Sequence, residues 1–236
     1  MNRYGLNIMV IGGAVYDALN ILSKDEDYIN AVKSYHFALG LQNVEPIEEK
    51  EDETPYESLV RRVSENPFIY PFLYNGSLDE MAHLYKSALS FKEEQMYSYR
   101  YLGIWNILPQ KCATRSGRLE YDVELYFVSC VIREWSTEMR EQCLFVPIID
   151  RFISVFLECL GNSPYVLRDD SGEIETRQKR GYNIHQAMVN EIGDYVAVQR
   201  LQFTLRLSRE ECEAYEDRLI EKYNNLLNII ETLKTN

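Results

Sequence analysis

The chain has none of the compact signatures that mark a catalytic centre. Its three histidines, His36, His83 and His185, stand far apart and lack H-E-x-x-H or H-x-H company. No serine sits in a G-x-S-x-G turn, and no Cys/His pair falls in a local nucleophile motif. Cysteine is scarce as well: Cys112, Cys130, Cys143, Cys159 and Cys212 make an odd number with no C-x-x-C spacing, the usage of reduced thiols that pack as small hydrophobes. These absences leave no catalytic residue, metal or cofactor to expect. Positive charge is in short supply, with 25 Lys and Arg against 37 Asp and Glu, a net charge of −12. Such a surface excludes a protein that holds nucleic acid by neutralising its phosphates, and the clusters Arg61-Arg62 and Arg177 to Arg180 do not reverse the balance. No apolar run approaches the roughly 20 residues that span a bilayer. The opening Met1 to Val15 is interrupted by Gly12-Gly13 and runs on into Tyr16-Asp17 without a cleavage site, so it is not read as a signal peptide. A soluble protein without a membrane segment is expected.

What the chain does have is a dense core signal from Leu119 to Leu160. Leu119, Tyr121, Val123, Leu125 and Phe127 alternate with Glu120, Asp122 and Glu124, the period of a half-buried strand with a wet acidic face. A helix follows, with Met139, Cys143, Val146, Ile149, Ile153, Phe156, Leu157 and Leu160 at steps of three and four as its packing stripe. Pro147 lies inside it. A proline removes a backbone donor and clashes with the carbonyl four residues back, so a kink near Cys143 or a late start is expected. Gly161 to Pro164 ends the helix.

Ahead of this core, Ile8, Ile11, Val15, Leu19 and Leu22 predict a helix. Gly12-Gly13 lacks both the Lys-Ser/Thr of a P-loop and the third Gly of a dinucleotide turn, so it is assigned to packing. Ser23 with Glu26 reads as the capping box of a second helix reaching Gly40. Glu45 to Glu57 is almost all charge, predicting an exposed, mobile linker. After a short helix at Tyr56 to Val63, Pro67 and Pro71 punctuate the aromatic run Phe68 to Tyr74. They forbid a helix and disfavour a central strand, leaving an inter-subunit arm or a loop over the core. Ser77 to Glu80 opens another helix, on which Met81, Leu84, Tyr85, Ala88 and Leu89 form the buried stripe and His83 faces away.

Tyr97 to Leu108 predicts the first strand, and Ser116-Gly117 a turn into the organising strand. Beyond Gly161, a short strand at Tyr165 to Leu167 precedes a polar loop, Arg168 to Gly181, exposed or ordered by a partner. The last strand is Tyr195 to Leu207. Ser208-x-x-Glu211 caps a C-terminal helix whose Cys212, Tyr215, Leu219, Tyr223, Leu226, Ile230 and Leu233 form a seam, for the chain's own sheet or for a neighbouring helix. The expected fold is α+β: a mostly antiparallel sheet of about four strands packed by a long helix. Its parts are an N-terminal helical region (1–44), an acidic linker (45–57), an α+β core (58–208) and a C-terminal helix (209–236).

The order of these elements, the helix entry Arg140-Glu-Gln-Cys-Leu-Phe-Val-Pro and the segment Asn190-x-x-x-Asp194-Tyr195-Val196 before the last strand resemble the tail-completion or tail-terminator family of tailed bacteriophages. The resemblance covers Tyr97 to Ser208. The longer N-terminal region and the helix after Ser208 depart from the family pattern. It implies a non-enzymatic virion protein of the head-to-tail neck or tail, assembled in the host cytoplasm as a hexameric or dodecameric ring. Its neighbours would be portal, connector or tail proteins, and DNA would pass an acidic lumen without specific binding. Phe68, Tyr70, Phe72 and Tyr74, then Arg177, Lys179 and Arg180, are the interface candidates, with Tyr215, Leu219, Leu226 and Ile230 on the C-terminal seam. The alternative is a cytosolic adaptor that binds partners through that seam.

Overall fold

The computed structural model describes residues 5–38, 72–80, 83, 102–108, 110–115, 118–131, 134–167, 174–181, 196–208, 220, 221 and 224. Two helices open the chain: α1 (Leu6–Leu22) and α2 (Glu26–Ala38). Gly12 and Gly13 are buried in mid-helix, so their amides belong to the helical ladder and form no phosphate cradle. The expected cap at Ser23 is corrected by two residues. The Ser23 hydroxyl donates back to the Asn20 carbonyl, at 3.0 Å, and its amide closes α1 on Leu19. Asp25 caps α2 instead, accepting from the Tyr28 amide at 3.2 Å.

Among the described residues six strands form one sheet: β1 (Phe72–Gly76), β2 (Leu102–Ile107), β3 (Cys112–Arg115), β4 (Arg118–Cys130), β5 (Thr176–Gly181) and β6 (Val196–Ser208). The order is β1-β2-β4-β6-β5, and β3 pairs with β4 as a hairpin arm that brings Arg115 opposite Arg118. All pairings are antiparallel except β1 with β2. A parallel pair needs a crossover, for which residues 77–101 supply the length. It starts as expected, with a reciprocal capping box in which the Ser77 amide donates to Glu80 and the Glu80 amide to the Ser77 hydroxyl. Exposed His83 is helical too.

The α+β class and the mostly antiparallel sheet agree with the sequence reading, while the strand inventory differs. Tyr165 to Leu167 makes a single bridge, Val166 to Leu207, rather than a strand. The aromatic segment gives β1, an edge strand that begins just after Pro71, where a missing donor costs no ladder bond. The polar loop is corrected most: Thr176–Gly181 is an ordered edge strand paired with β6 along its whole length. The linker, the short helix at Tyr56 to Val63 and the C-terminal seam lie outside the described residues, apart from Ile220, Glu221 and Asn224, of which all three are helical.

The long helix after β4 does not break at Pro147. It starts as α3 (Thr137–Arg140), with the Ser136 hydroxyl accepting from the Met139 amide. It widens into ten residues of π-helix, Glu141–Asp150, then continues as α4 (Arg151–Gly161). In a π-turn the hydrogen bonds reach five residues back, which loosens the coil where the proline ring needs room. The change of pitch also turns the helix. Met139 and Val146, expected in the core, are 42% and 57% exposed, while Arg140, Leu144, Phe145 and Ile148 turn inward. From Ile149 onward the α-helical stripe holds, with Ile153, Phe156 and Leu160 buried.

One apolar core joins α1, α2, the π-helix and α4 to a single face of the sheet. Phe152 meets Phe127 of β4 at 6.0 Å and Phe156 meets Phe203 of β6 at 6.4 Å. At the other end the Tyr35 hydroxyl lies 2.7 Å from Ser129, and the Tyr35 ring packs edge-on against Trp135. Burying a large aromatic is worth several kcal/mol, so this face carries most of the stability.

Candidate functional site

The opposite face of the sheet divides in two. Toward β1 it is apolar: Trp105, Tyr126, Val128 and Val198 are buried there, apart from the main core, and Tyr74 tilts onto Trp105 with ring centres 4.9 Å apart. Toward β5 it is charged. The register sets Glu120 of β4 beside Arg206 of β6, Asp122 beside Thr204 and Glu124 beside Gln202. Arg206 pairs with Glu120 and Arg200 with Glu124, each at 3.4 Å, so the acidic face is largely answered by β6 across the ladder. The Tyr126 hydroxyl donates to Glu124 at 2.7 Å. Burial and that carboxylate together push the Tyr126 phenol well above its ordinary value, with Arg200 opposing only in part, so the phenol stays a donor.

A concavity of about 410 Å³ opens on the charged half. Asp122, Glu124, Gln202, Thr204 and Arg206 form its floor, and Glu175 with Arg177 its rim toward β5. Asp122 and Arg177 are exposed. Carboxylates and cations are thus interspersed over its surface.

The interface candidates fall into three groups. Phe68, Tyr70, Tyr215, Leu219, Leu226 and Ile230 lie outside the described residues. Phe72 and Tyr74 belong to β1, with the Tyr74 ring committed to Trp105, so this part is sheet edge rather than a free arm. Arg177, Lys179 and Arg180 belong to β5 and separate by strand alternation. Arg177 and Lys179 project from the charged face, whereas Arg180 points to the helix side. There it pairs with Glu141 and Asp150, bonds the Gln199 carbonyl oxygen at 3.0 Å and lies over the Phe145 ring at 5.3 Å.

That knot escaped the sequence reading. Fully buried Gln199 also donates to Asp150 at 2.9 Å and to Gln178 at 3.0 Å, tying β5 and β6 to the π-helix. A second buried polar line joins four carboxamides: Asn7 donates to Gln110, Gln110 to Asn106 at 2.5 Å, and Asn106 to Asn75 at 2.8 Å. It links α1 to β2 and β1. Each had one visible sign, a polar residue on the apolar face of a strand: Gln199 between Ala197 and Leu201, and Asn106 two residues after Ile104. Most buried polar groups in folded chains are bonded; in this line the Asn7 Oδ1 is the buried acceptor without a hydrogen bond among the described residues.

Asp25 holds the helical layer. Its carboxylate accepts from Arg151 of α4 as well as from the α2 amide. Burial alone would raise its pKa, but Arg151 and the Tyr28 amide outweigh that and hold it below the ordinary carboxylate value.

Among the described residues no three His, Cys, Asp or Glu side chains are placed to hold a metal, and Cys112, Cys143 and Cys159 form no disulfide with one another. No single described helix is long and apolar enough to cross a membrane, and α1 is buried within the core. Comparison with protein-family models, curated proteins and solved structures returns no match to this chain.

Proposed function

We propose that the chain is a structural subunit that assembles as a ring at the head-to-tail or tail interface of a phage virion, as a connector, tail terminator or tail ring protein. It acts by contact with copies of itself and with portal, connector or tail neighbours, and catalyses nothing. The observation that carries this reading is the unlike chemistry of the two sheet edges. At one end lies Phe-Leu-Tyr-Asn-Gly, without charge; at the other lies Thr-Arg-Gln-Lys-Arg-Gly. A closed ring needs a heterologous interface, two different patches on each subunit that complement one another, and a cationic edge unlike the other end of the sheet can be one such patch without pairing with its own copy. The net charge of −12 suits a lumen through which DNA slides without binding. The helix that the sequence leads one to expect over 209–236 would add a seam for neighbouring subunits or rings.

Size-exclusion chromatography with light scattering tests the reading. The expected result is a species of six or twelve chain masses, alone or with a ring partner. A strict monomer at high concentration, unchanged by the candidate partners, overturns it.

A further inference from the structure

We propose that β5 is a docking edge that takes, by strand addition, the acidic segment Glu45 to Glu57 of a second copy of the chain. The inference rests on the self-assembly reading and names the contact that would carry it. β5 ends the sheet, so one side of its backbone has no strand partner among the described residues. The strand is nonetheless held in place: on the helix side Arg180 pairs directly with Glu141 and Asp150 and bonds Gln199, which in turn joins Gln178 to Asp150. A rigid edge with free backbone donors and acceptors is the template that β-augmentation requires.

The side chains say what kind of strand fits. Arg177 and Lys179 stand two residues apart on the charged face, exposed and without an ion pair among the described residues. Lys179 lies directly opposite Arg200 of β6. Arg200 is met by Glu124 at 3.4 Å, so Lys179 is the cation left for an anionic strand on the far side of β5 to answer.

Of the chain's acidic stretches, one carries the largest net charge. Residues 45–57 hold seven carboxylates against the single Lys50, a net −6 that is half of the whole chain's −12. Pro46 and Pro55 bound eight residues, enough to lie along the six of β5. Drawn out as a strand, Ile47, Glu49, Glu51 and Glu53 fall on one face, so three glutamates repeat at the same two-residue step as Arg177 and Lys179. The bland reading is that the cations merely guard the edge against aggregation.

Charge exchange separates the two. One full-length variant carries Arg177→Glu and Lys179→Glu, the other Glu49→Lys, Glu51→Lys and Glu53→Lys, and both are compared with the native chain by sedimentation. Each variant alone should associate about tenfold more weakly or worse, and an equimolar mixture should regain native assembly, because each then meets an edge or segment of opposite sign. Raising salt from about 0.05 to about 0.5 M should weaken the native assembly in step, a readout that needs no variant. Variants that assemble like the native chain, a mixture that stays dissociated, or assembly indifferent to salt overturns the contact while leaving self-assembly intact. A native chain that never associates overturns the ring reading itself.

Discussion

Strand β4 shows two ways of holding the same backbone. On one face Leu119, Tyr121, Val123, Leu125 and Phe127 are almost wholly withdrawn from water beneath the helices. On the other, Glu120 and Glu124 meet Arg206 and Arg200 across β6 at 3.4 Å with their side chains part exposed. The energies of the two faces are not alike. A buried aromatic contributes several kcal/mol, whereas a part-exposed ion pair contributes about 0–1 kcal/mol. The fold therefore rests on the first face, and the second can carry a charge pattern suited to a partner at little cost to stability.

The largest expected effect tests that inequality. Phe156→Ala, at a site in contact with Phe152 and Phe203, should cost about 3–5 kcal/mol, read as a lower midpoint in urea. Arg206→Gln on the open face should cost less than about 1 kcal/mol. If the two midpoints fall together, the open face is structural and the comparison fails.

The carboxamide line sharpens the comparison, since it is polar but lies on the buried side. Asn106→Leu removes the acceptor of Gln110 and the donor to Asn75, and each stranded group should cost about 1–3 kcal/mol despite the added apolar surface. A neutral result would mean that the line is not a bonded unit.

Next in size comes Asp25. Its carboxyl is held below the ordinary value in the folded chain, so its contribution is fully present above the unfolded pKa, near 3.8, and is lost as pH falls through the lower folded value. Asn also caps helices well, so Asp25→Asn should keep the α2 start while losing the attraction to Arg151. Denaturation curves of native chain and variant should differ modestly at neutral pH, by no more than about 1 kcal/mol, and converge below about pH 3.8. Curves that keep their separation in acid would remove the ion pair from the account.

The alternation of β4 and β6 was legible in the sequence because a strand with one wet face writes its period directly. The edge strands were not. β5 is wholly polar from Thr176 to Arg180, and its reason for being a strand lies twenty residues on, in β6, and in the π-helix side chains that hold Arg180 and Gln199. β1 is hidden by Pro71, which reads as a breaker although an edge strand accepts it at its start. Of the interface candidates, sequence placed Arg177, Lys179 and Arg180 in one group. Only strand alternation shows that the first two face outward while the third is a structural tie. Gln199, the hub of that tie, was visible only as an exception to the apolar rhythm of β6.

The smallest expected effect is the most specific to this molecule. An α-helical reading of residues 139–160 places Val146 in the core, and Val→Ser there would then cost a few kcal/mol. The π-turns instead leave Val146 57% exposed while Phe145 beside it is buried under Arg180. Val146→Ser should therefore change stability by less than about 0.5 kcal/mol, against about 3–5 kcal/mol for Phe145→Ala. The contrast between neighbours reports the pitch of the helix, because in an α-helix continuing the Ile149-Ile153-Phe156 stripe Val146 would face the sheet. A costly Val146→Ser would return the segment to α-helical pitch, and with it move Glu141 relative to Arg180. The Glu141 tie to Arg180 thus depends on the π-turns around Pro147, so the least perturbing substitution probes one of the contacts that hold β5 in place.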